Sequence, residues 1–402
     1  MVTRDLYFFN PTCETAVANG SETFIATQIL RKFETDLSFL PMILTSPGDI
    51  VMSQEKPSKT FIDGLKQIHF PVSGTMSKNE IVKTGNLRIN RIVPWGWSPA
   101  AHFQVKELKD YTSPEFQSSR IFNWEPEHSM LFERKTSAQV FTRFLSEYGT
   151  SDYCFAEAIP LVLKSEGDIL NYLKKHPHTV FKSPVSSSGR GVQMIRSGKL
   201  SHSNNKWTKA VLKQSGYLMA EPLHHKKLDL SFQFEIDASG KIIYHGHVFF
   251  YTNSNGMYLG HYLNRNSSGL IGADFAQLSD ETGNRLKRIL EKSVYPLFYE
   301  GFLGIDGMII EEENQLKIHP CIEINCRLTM GMLALRIQKL IHPEAQGHFR
   351  IFTGKPGEFA TLSKKMRTNH PVVMKNRQFI SGFATLSDPA EKAGFGAYVL
   401  LT

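Results

Sequence analysis

Cysteine is scarce in this chain, with Cys13, Cys154, Cys321 and Cys326 the only four in 402 residues. None belongs to a CxxC pair, so neither a disulfide framework nor a zinc site is expected. Long apolar runs are missing too: nothing approaches the ~18 residues that a membrane-spanning helix needs. The first ten residues carry Arg4 and Asp5 where a signal peptide would have its apolar stretch. These absences predict a protein of the reducing cytoplasm with no membrane partner. Concentrated charge is absent as well. The net charge of +8 is scattered, apart from short clusters such as His224-His225-Lys226-Lys227 and Lys364-Lys365. No recognition helix or RNA-binding signature accompanies them, so nucleic acid is not expected as a partner. A nucleotide or an anionic small substrate accounts for scattered positive charge equally well.

What is present suits an ordinary globular protein. Hydrophobic residues at 41% and charged residues at 21% allow a sizeable core without disulfides or structural metal, and the length predicts two or three domains. Residues 6–9 read as a strand stopped by the turn signal Asn10-Pro11. A helical spacing then runs through Phe24, Ile25, Ile29, Leu30 and Phe33. Residues 39–44 are the next expected strand, closed by Ser46-Pro47-Gly48-Asp49. Strands alternating with helices predict an α/β domain over residues 1–125. Residues 51–123 are hard to divide, and Pro94-Trp95-Gly96-Trp97-Ser98-Pro99 is a rigid aromatic connection without an assignable role.

Beyond it, residues 127–148 read as one long helix, and Ser165-Glu166-Gly167-Asp168 is a capping box that opens another. Strands are expected at 179–182, 191–195, 217–220, 230–236 and 242–251, with Gly and Ser punctuation suited to antiparallel pairs. A helix over 280–299 with Ser279 as N-cap follows, then strands at 304–310 and 316–325 and a helix from about Met330.

Three stretches carry chemistry. In the first, Phe181-Lys182-Ser183-Pro184 runs into the small-residue loop Ser186-Ser187-Ser188-Gly189-Arg190-Gly191. Backbone N–H groups of such a loop can approach phosphate oxygens while lysine supplies a point charge. The Gly-Lys-Ser/Thr ending of a Walker A loop is missing; a flexible hairpin with an exposed lysine is the alternative. In the second, Gly304-Ile305-Asp306-Gly307 precedes Ile322-Glu323-Ile324-Asn325-Cys326-Arg327. Strand alternation turns Glu323, Asn325 and Arg327 to one face. Oxygen donors of Asp, Glu and Asn type suit Mg2+, against the alternative of a solvated sheet face with a Glu–Arg pair. Those strands are otherwise apolar, and burying such groups without a partner is costly. In the third, Tyr217 to Leu223 leads through Glu221-Pro222 to Leu228-Asp229-Leu230. A strand entering a Pro-containing linker can read an adenine edge, and the later carboxylate can accept from ribose hydroxyls; an acidic turn is the alternative.

These blocks, in this order and spacing, resemble the ATP-grasp superfamily, which includes D-alanine–D-alanine ligase, biotin carboxylase and carbamoyl phosphate synthetase. The resemblance covers about residues 133–336, and the Glu-X-Asn-X-Arg form is similar to the biotin carboxylase branch. It implies an α/β chain with an N-terminal domain (1–125) followed by two α+β subdomains (126–225 and 226–402). It implies ATP with Mg2+ (or Mn2+), held at Lys182, Ser186, Ser187, Ser188, Gly189 and Gly191 for the phosphates. Glu221 and Leu223 resemble the adenine hinge and Asp229 the ribose acid, although the family more often has Glu there, one residue earlier. Lys135 looks like a further nucleotide-contacting lysine, and Asp306, Glu323 and Asn325 resemble the metal ligands. Arg327 is expected to stabilise developing charge, and Arg265, in the polar stretch 252–266, to contact substrate or that charge. The implied activity is ligation of a small carboxylate to an amine through an acyl phosphate, by a protein for which a homodimer is left open. A kinase, or a nucleotide-binding protein without turnover, is the alternative.

Overall fold

The apolar run at the start of the chain forms β1 (Arg4–Phe8), the centre of a parallel sheet with β2 (Ile50–Met52), β3 (Gly74–Met76) and β4 (Ile89–Pro94) in the order β3-β2-β1-β4. The computed structural model describes residues 4–85, 87–186, 191–253, 256–264 and 272–402. A second, antiparallel sheet contains β5 (Leu161–Leu163), β6 (Thr179–Lys182), β7 (Val192–Ile195) and β8 (Leu218–Pro222) in the order β5-β8-β6-β7. The remaining strands are β9 (Lys226–Ile236), β10 (Ile242–Thr252), β11 (Tyr258–Leu263), β12 (Gly301–Glu312), β13 (Gln315–Asn325), β14 (Gly347–Thr353), β15 (Val373–Lys375), β16 (Gln378–Thr385) and β17 (Phe395–Leu401). They build one nine-stranded sheet, β13-β12-β9-β10-β11-β14-β17-β16-β15. An α/β N-terminal part followed by two α+β parts is thus the architecture.

One face of β9 and β12 carries Leu230, Phe232, Phe234, Ile305 and Ile309, all fully buried against the helices Arg134–Tyr148 and Ala273–Glu291. The other face carries Ser231, Gln233 and Asp306, in register across the same strands. Period-two alternation therefore assigns one side of the sheet to packing and the other to polar chemistry. The N-terminal sheet shares an apolar layer with the nine-stranded sheet, where Tyr7, Phe9 and Trp95 meet the helix Met330–Leu340 and Phe349.

Several expected elements are corrected. Residues 39–44 are not a strand: Leu40–Leu44 is a 3-10 helix with Pro41 in its first turn. Leu40, Met42 and Ile43 are buried all round, and a fully buried apolar run has no periodicity to separate strand from helix. The helix expected from Phe24 starts at Gln28, leaving Ile25 and Ile29 exposed. The helix expected over 127–148 is two, Pro126–Met130 and Arg134–Tyr148. Ser279 is no cap: its helix begins at Ala273, and the buried hydroxyl donates to Phe275 O, four residues back. That helix stops at Glu291, and Tyr295–Phe298 is a separate turn with Pro296 near its start. The capping box at Ser165 is present, with Glu166–Lys175 behind it.

Candidate functional site

The β12–β13 pairing sets Asp306 opposite Glu323 and Gly304 opposite Asn325, bringing three oxygen-bearing side chains onto the polar face. Asp306 is bonded on both oxygens: Ser231 Oγ donates to Oδ1 at 2.7 Å and Asn325 Nδ2 to Oδ2 at 2.9 Å. Burial, with Glu323 nearby, nevertheless pushes its carboxyl up to about 6, against those hydrogen bonds and Arg327. Arg327 follows the strand end, and its Nη2 donates to Asn325 Oδ1 at 2.9 Å. Its Nε reaches Glu14 Oε1 of the N-terminal domain at 3.0 Å. Glu14 was not singled out from sequence, since a lone Glu in Pro-Thr-Cys-Glu-Thr has no motif around it.

Arg134 is the other residue that sequence reasoning missed. It is buried, and its Nη2 donates to Glu323 Oε1 at 2.7 Å while Nη1 donates to Ser183 O at 2.6 Å and Ser186 Oγ at 2.9 Å. One guanidinium thus ties the acidic strand pair to the small-residue loop. The break after Met130 permits this, because Arg134 starts its own helix and its backbone N–H donates to Pro184 O at 2.9 Å. Lys135, the neighbour expected to touch nucleotide, instead pairs with Glu133 at 2.6 Å and lies 5.6 Å from the centre of the Tyr217 ring.

The neck of the loop is closed by Ser183 N–H donating to Gly191 O at 2.8 Å. A Cβ at Gly191 would collide with Ser183 Oγ and come within 2.5 Å of Ser186 Cβ, so a side chain there forces both serines to move. Ser187, Ser188, Gly189 and Arg265 lie outside the described residues. Lys182, at the end of β6, is buried and pairs with Glu221 on β8 at 2.5 Å. Glu221 Oε2 is buried and has no partner. The Leu223 N–H donates to His178 O at 2.9 Å, and the Glu221 side chain offers an idle acceptor at this hinge. Asp229 accepts from Lys226 at 2.6 Å and Thr252 at 3.0 Å, and burial raises its carboxyl pKa. It shares the polar face with Ser231 and Asp306.

Burial raises the Cys321 thiol, with the charges of Asp306, Glu323 and Glu221 adding to it and that of Lys182 opposing it. His245 and His247 are engaged elsewhere, with Glu235 at 3.1 Å and Asp280 at 3.0 Å. Among the described residues no three His, Cys, Asp or Glu converge on one point. A metal at this face would therefore take two carboxylates and an amide, with phosphate and water oxygens completing its shell, which suits Mg2+. The like charges of Asp306 and Glu323 side by side fit that cation, and the idle Glu221 Oε2 and the unpartnered Arg134 Nε fit a nucleotide with a donor at one end and phosphates at the other. The cavity of about 30 Å³ lined by Arg91, Trp97, Tyr299, Glu300 and Leu328 takes none of Asp306, Glu323, Asn325 and Arg327 into its walls and has room for little more than water.

No family model matches the sequence, and no curated protein does. Solved structures do match over the whole chain. N5-carboxyaminoimidazole synthetase from Staphylococcus aureus superposes with a TM-score of 0.51 at 11% identity, covering 100% of this chain and 94% of that one. An ADP complex of N5-carboxyaminoimidazole ribonucleotide synthetase gives 0.50 at 9%, covering 100% and 93%. The biotin carboxylase domain of the 2-oxoglutarate carboxylase of Hydrogenobacter thermophilus, a dimer with MgADP, ADP and bicarbonate, gives 0.50 at 11%, covering 100% and 87%. At such identities the likeness is one of fold.

Proposed function

We propose, from the premise of an ATP-grasp fold over the whole chain, that the protein is an ATP-dependent ligase that phosphorylates a carboxylate and passes the acyl group to an amine. The observation that carries this reading is the Arg134 bridge, which joins Glu323, opposite Asp306, to Ser186 of the small-residue loop. A carboxylate is a poor electrophile; moving the γ-phosphoryl group of ATP onto it releases ADP and leaves an acyl phosphate. The amine then attacks the carbonyl carbon and inorganic phosphate departs. Bound Mg2+ (or Mn2+) supplies charge neutralisation for the transferred group.

The residues divide this work. Lys182, Ser186 and Gly191, with Ser187, Ser188 and Gly189, hold phosphates, and Arg134 orients the loop against the acidic strands. Glu221 accepts from the exocyclic amine of adenine, Leu223 lies beside the base, Asp229 takes the ribose, and Lys135 is a peripheral nucleotide contact. Asp306, Glu323 and Asn325 are the metal ligands. Arg327 and Arg265 stabilise charge that develops on the phosphoryl and acyl oxygens. The enzyme's partners are ATP and small substrates in the cytoplasm, and a homodimer is the assembly to look for by sedimentation. The deciding experiment supplies MgATP and carboxylic acids with hydroxylamine as the nucleophile. ADP and a hydroxamate are expected together; a stable phosphate ester without hydroxamate makes the protein a kinase instead.

A further inference from the structure

Positive charge that is scattered along the sequence is gathered by the fold. Residues 161–223 hold ten lysines and arginines against three acidic residues, a net +7 out of the +8 of the whole chain. The three acids do not offset them where they stand. Glu221 is buried against Lys182, and Asp168 is spent on its helix cap, accepting from the Lys164 and Ser165 N–H groups at 3.0 and 2.9 Å. Of the three, Glu166 alone is left on the outside, 3.2 Å from Lys209. An exposed pair of that kind contributes little.

The helices Glu166–Lys175 and His202–Ser215 cover one face of the sheet β5-β8-β6-β7, setting Ile169, Leu173 and Val211 against Phe181 and Leu218. Strand alternation turns Lys182, next to Phe181, to the opposite face, where it meets Glu221. The outer surface of the two helices therefore looks away from the proposed nucleotide site, and its charge does not serve those phosphates. On the helix His202–Ser215, His202, Lys206, Lys209 and Lys213 recur at spacings of four, three and four, all exposed and opposite Val211. At the rise of an α-helix this row is ~16 Å long. Gly198 N–H donates to Pro177 O at 2.8 Å, which holds the turn of Arg196 and Lys199 against the end of the other helix, where Lys174 and Lys175 are exposed. Among the described residues, only Lys209 of these lysines and arginines has an ion partner. Like charges three and four residues apart destabilise a helix, and ordinary surfaces intersperse both signs. A row of this kind gains its return from an anion outside the chain.

We propose that this outer face docks double-stranded RNA, held by its phosphate backbone. The surface stands apart from the catalytic site and does not depend on the ligase reading. Charge density favours a nucleic acid over an acidic peptide. A duplex presents about ten phosphates in ~16 Å, whereas an extended peptide turns one side chain to a surface every ~6.6 Å. The basic row carries no large exposed apolar side chain to enter a membrane. Single strands stack on exposed aromatic rings, but Trp207 is half-buried against the sheet. Because the basic helix lies flat on that sheet, it does not project into a major groove as a recognition helix does. The wide, shallow minor groove of A-form RNA accepts such a surface through phosphates and 2′-hydroxyls. Asn205 and Gln214, exposed on the same helix, supply neutral partners for the hydroxyls.

The test is fluorescence anisotropy of the full chain with a labelled RNA duplex of about 20 base pairs, whose affinity should fall about a thousandfold between about 50 and 200 mM salt, as for about six phosphate contacts. The triple variant Lys206→Gln, Lys209→Gln, Lys213→Gln should bind at least about tenfold more weakly and lower the slope of log K against log salt by about three. Removing three exposed charges elsewhere, by Lys355→Gln, Lys364→Gln and Lys365→Gln, should change neither quantity. The DNA duplex of the same sequence should bind about tenfold more weakly than the RNA. Wild-type affinity in the first triple variant, DNA bound as tightly as RNA, or tighter binding of phosphatidylserine vesicles or polyglutamate overturns the proposal. Hydroxamate formation should be the same in wild type and both triple variants, so failure of the docking surface and failure of the ligase reading are told apart.

Discussion

Arg134 is buried between Glu323 and Ser186, and its guanidinium offers a fork of donors that lysine lacks. Arg134→Lys should keep the charge near Glu323 but lose the simultaneous bonds to Ser183 O and Ser186 Oγ, and kcat should fall by about a hundredfold. Arg134→Ala also leaves Glu323 without its ion partner and should cost about 1–3 kcal/mol of stability. Steady-state ADP release and urea unfolding of both variants check this; wild-type turnover in Arg134→Lys removes the residue from the site. At this scale the sequence spoke unevenly. That Asp306, Glu323 and Asn325 lie side by side on one face was legible because strand alternation is local and their neighbours are apolar. Arg134 and Glu14 act across 189 positions and between separate domains, where no local pattern reaches.

At the scale of elements, strand ends carry the site and glycine sets how closely they approach. Gly191 closes the mouth of the small-residue loop with no space for a Cβ. Gly191→Ala should move Ser183 and Ser186, raising KM for ATP by about tenfold with little change in melting temperature. An unchanged KM would show that the loop mouth plays no part in binding. The connection 95–124 holds a different device. His102 is stacked on Trp97 at 4.4 Å, and Lys109 donates to its Nδ1 at 3.1 Å. Burial, with Lys109 adding to it, lowers His102 to about 3. The imidazole stays neutral in the folded state while the unfolded chain takes a proton below its ordinary value of 6.5. This histidine therefore removes stability as pH falls from about 6.5 towards 3. His102→Gln keeps an acceptor for Lys109 and should flatten the acid limb of stability against pH, read by urea titration at stepped pH. An equally steep limb would mean that other groups dominate. Element reading from sequence worked where a cap or alternation was explicit, as at Ser165 and over β12 and β13. It failed at 39–44, at 127–148 and at Ser279. Whole burial hid the period in the first, a three-residue break was invisible to helical spacing in the second, and a mid-helix serine mimicked a cap in the third.

At the scale of the molecule, the N-terminal sheet is more than an appended domain. Trp95 is 1% exposed, packs edge-on to Phe9 at 4.8 Å, and accepts Leu328 N–H through its carbonyl. The apolar layer around it draws residues from β1, β4, the helix Met330–Leu340 and β14. Parts that share one core unfold together when neither can keep its buried face alone. Trp95→Ala empties the centre of that layer and should cost about 3–5 kcal/mol. The loss should appear as one cooperative transition moved to lower temperature, not as an early melting of the N-terminal sheet alone. Because Leu328 directly follows Arg327, the same substitution should weaken substrate use more than nucleotide binding. MgATP at about a hundred times its Kd should then restore about 2.7 kcal/mol to the single transition. Calorimetry with and without nucleotide checks both statements. Two separated transitions in Trp95→Ala, with only the upper one responding to MgATP, would mean that the N-terminal sheet folds as an independent body and that its contact with Arg327 forms only after both parts are folded.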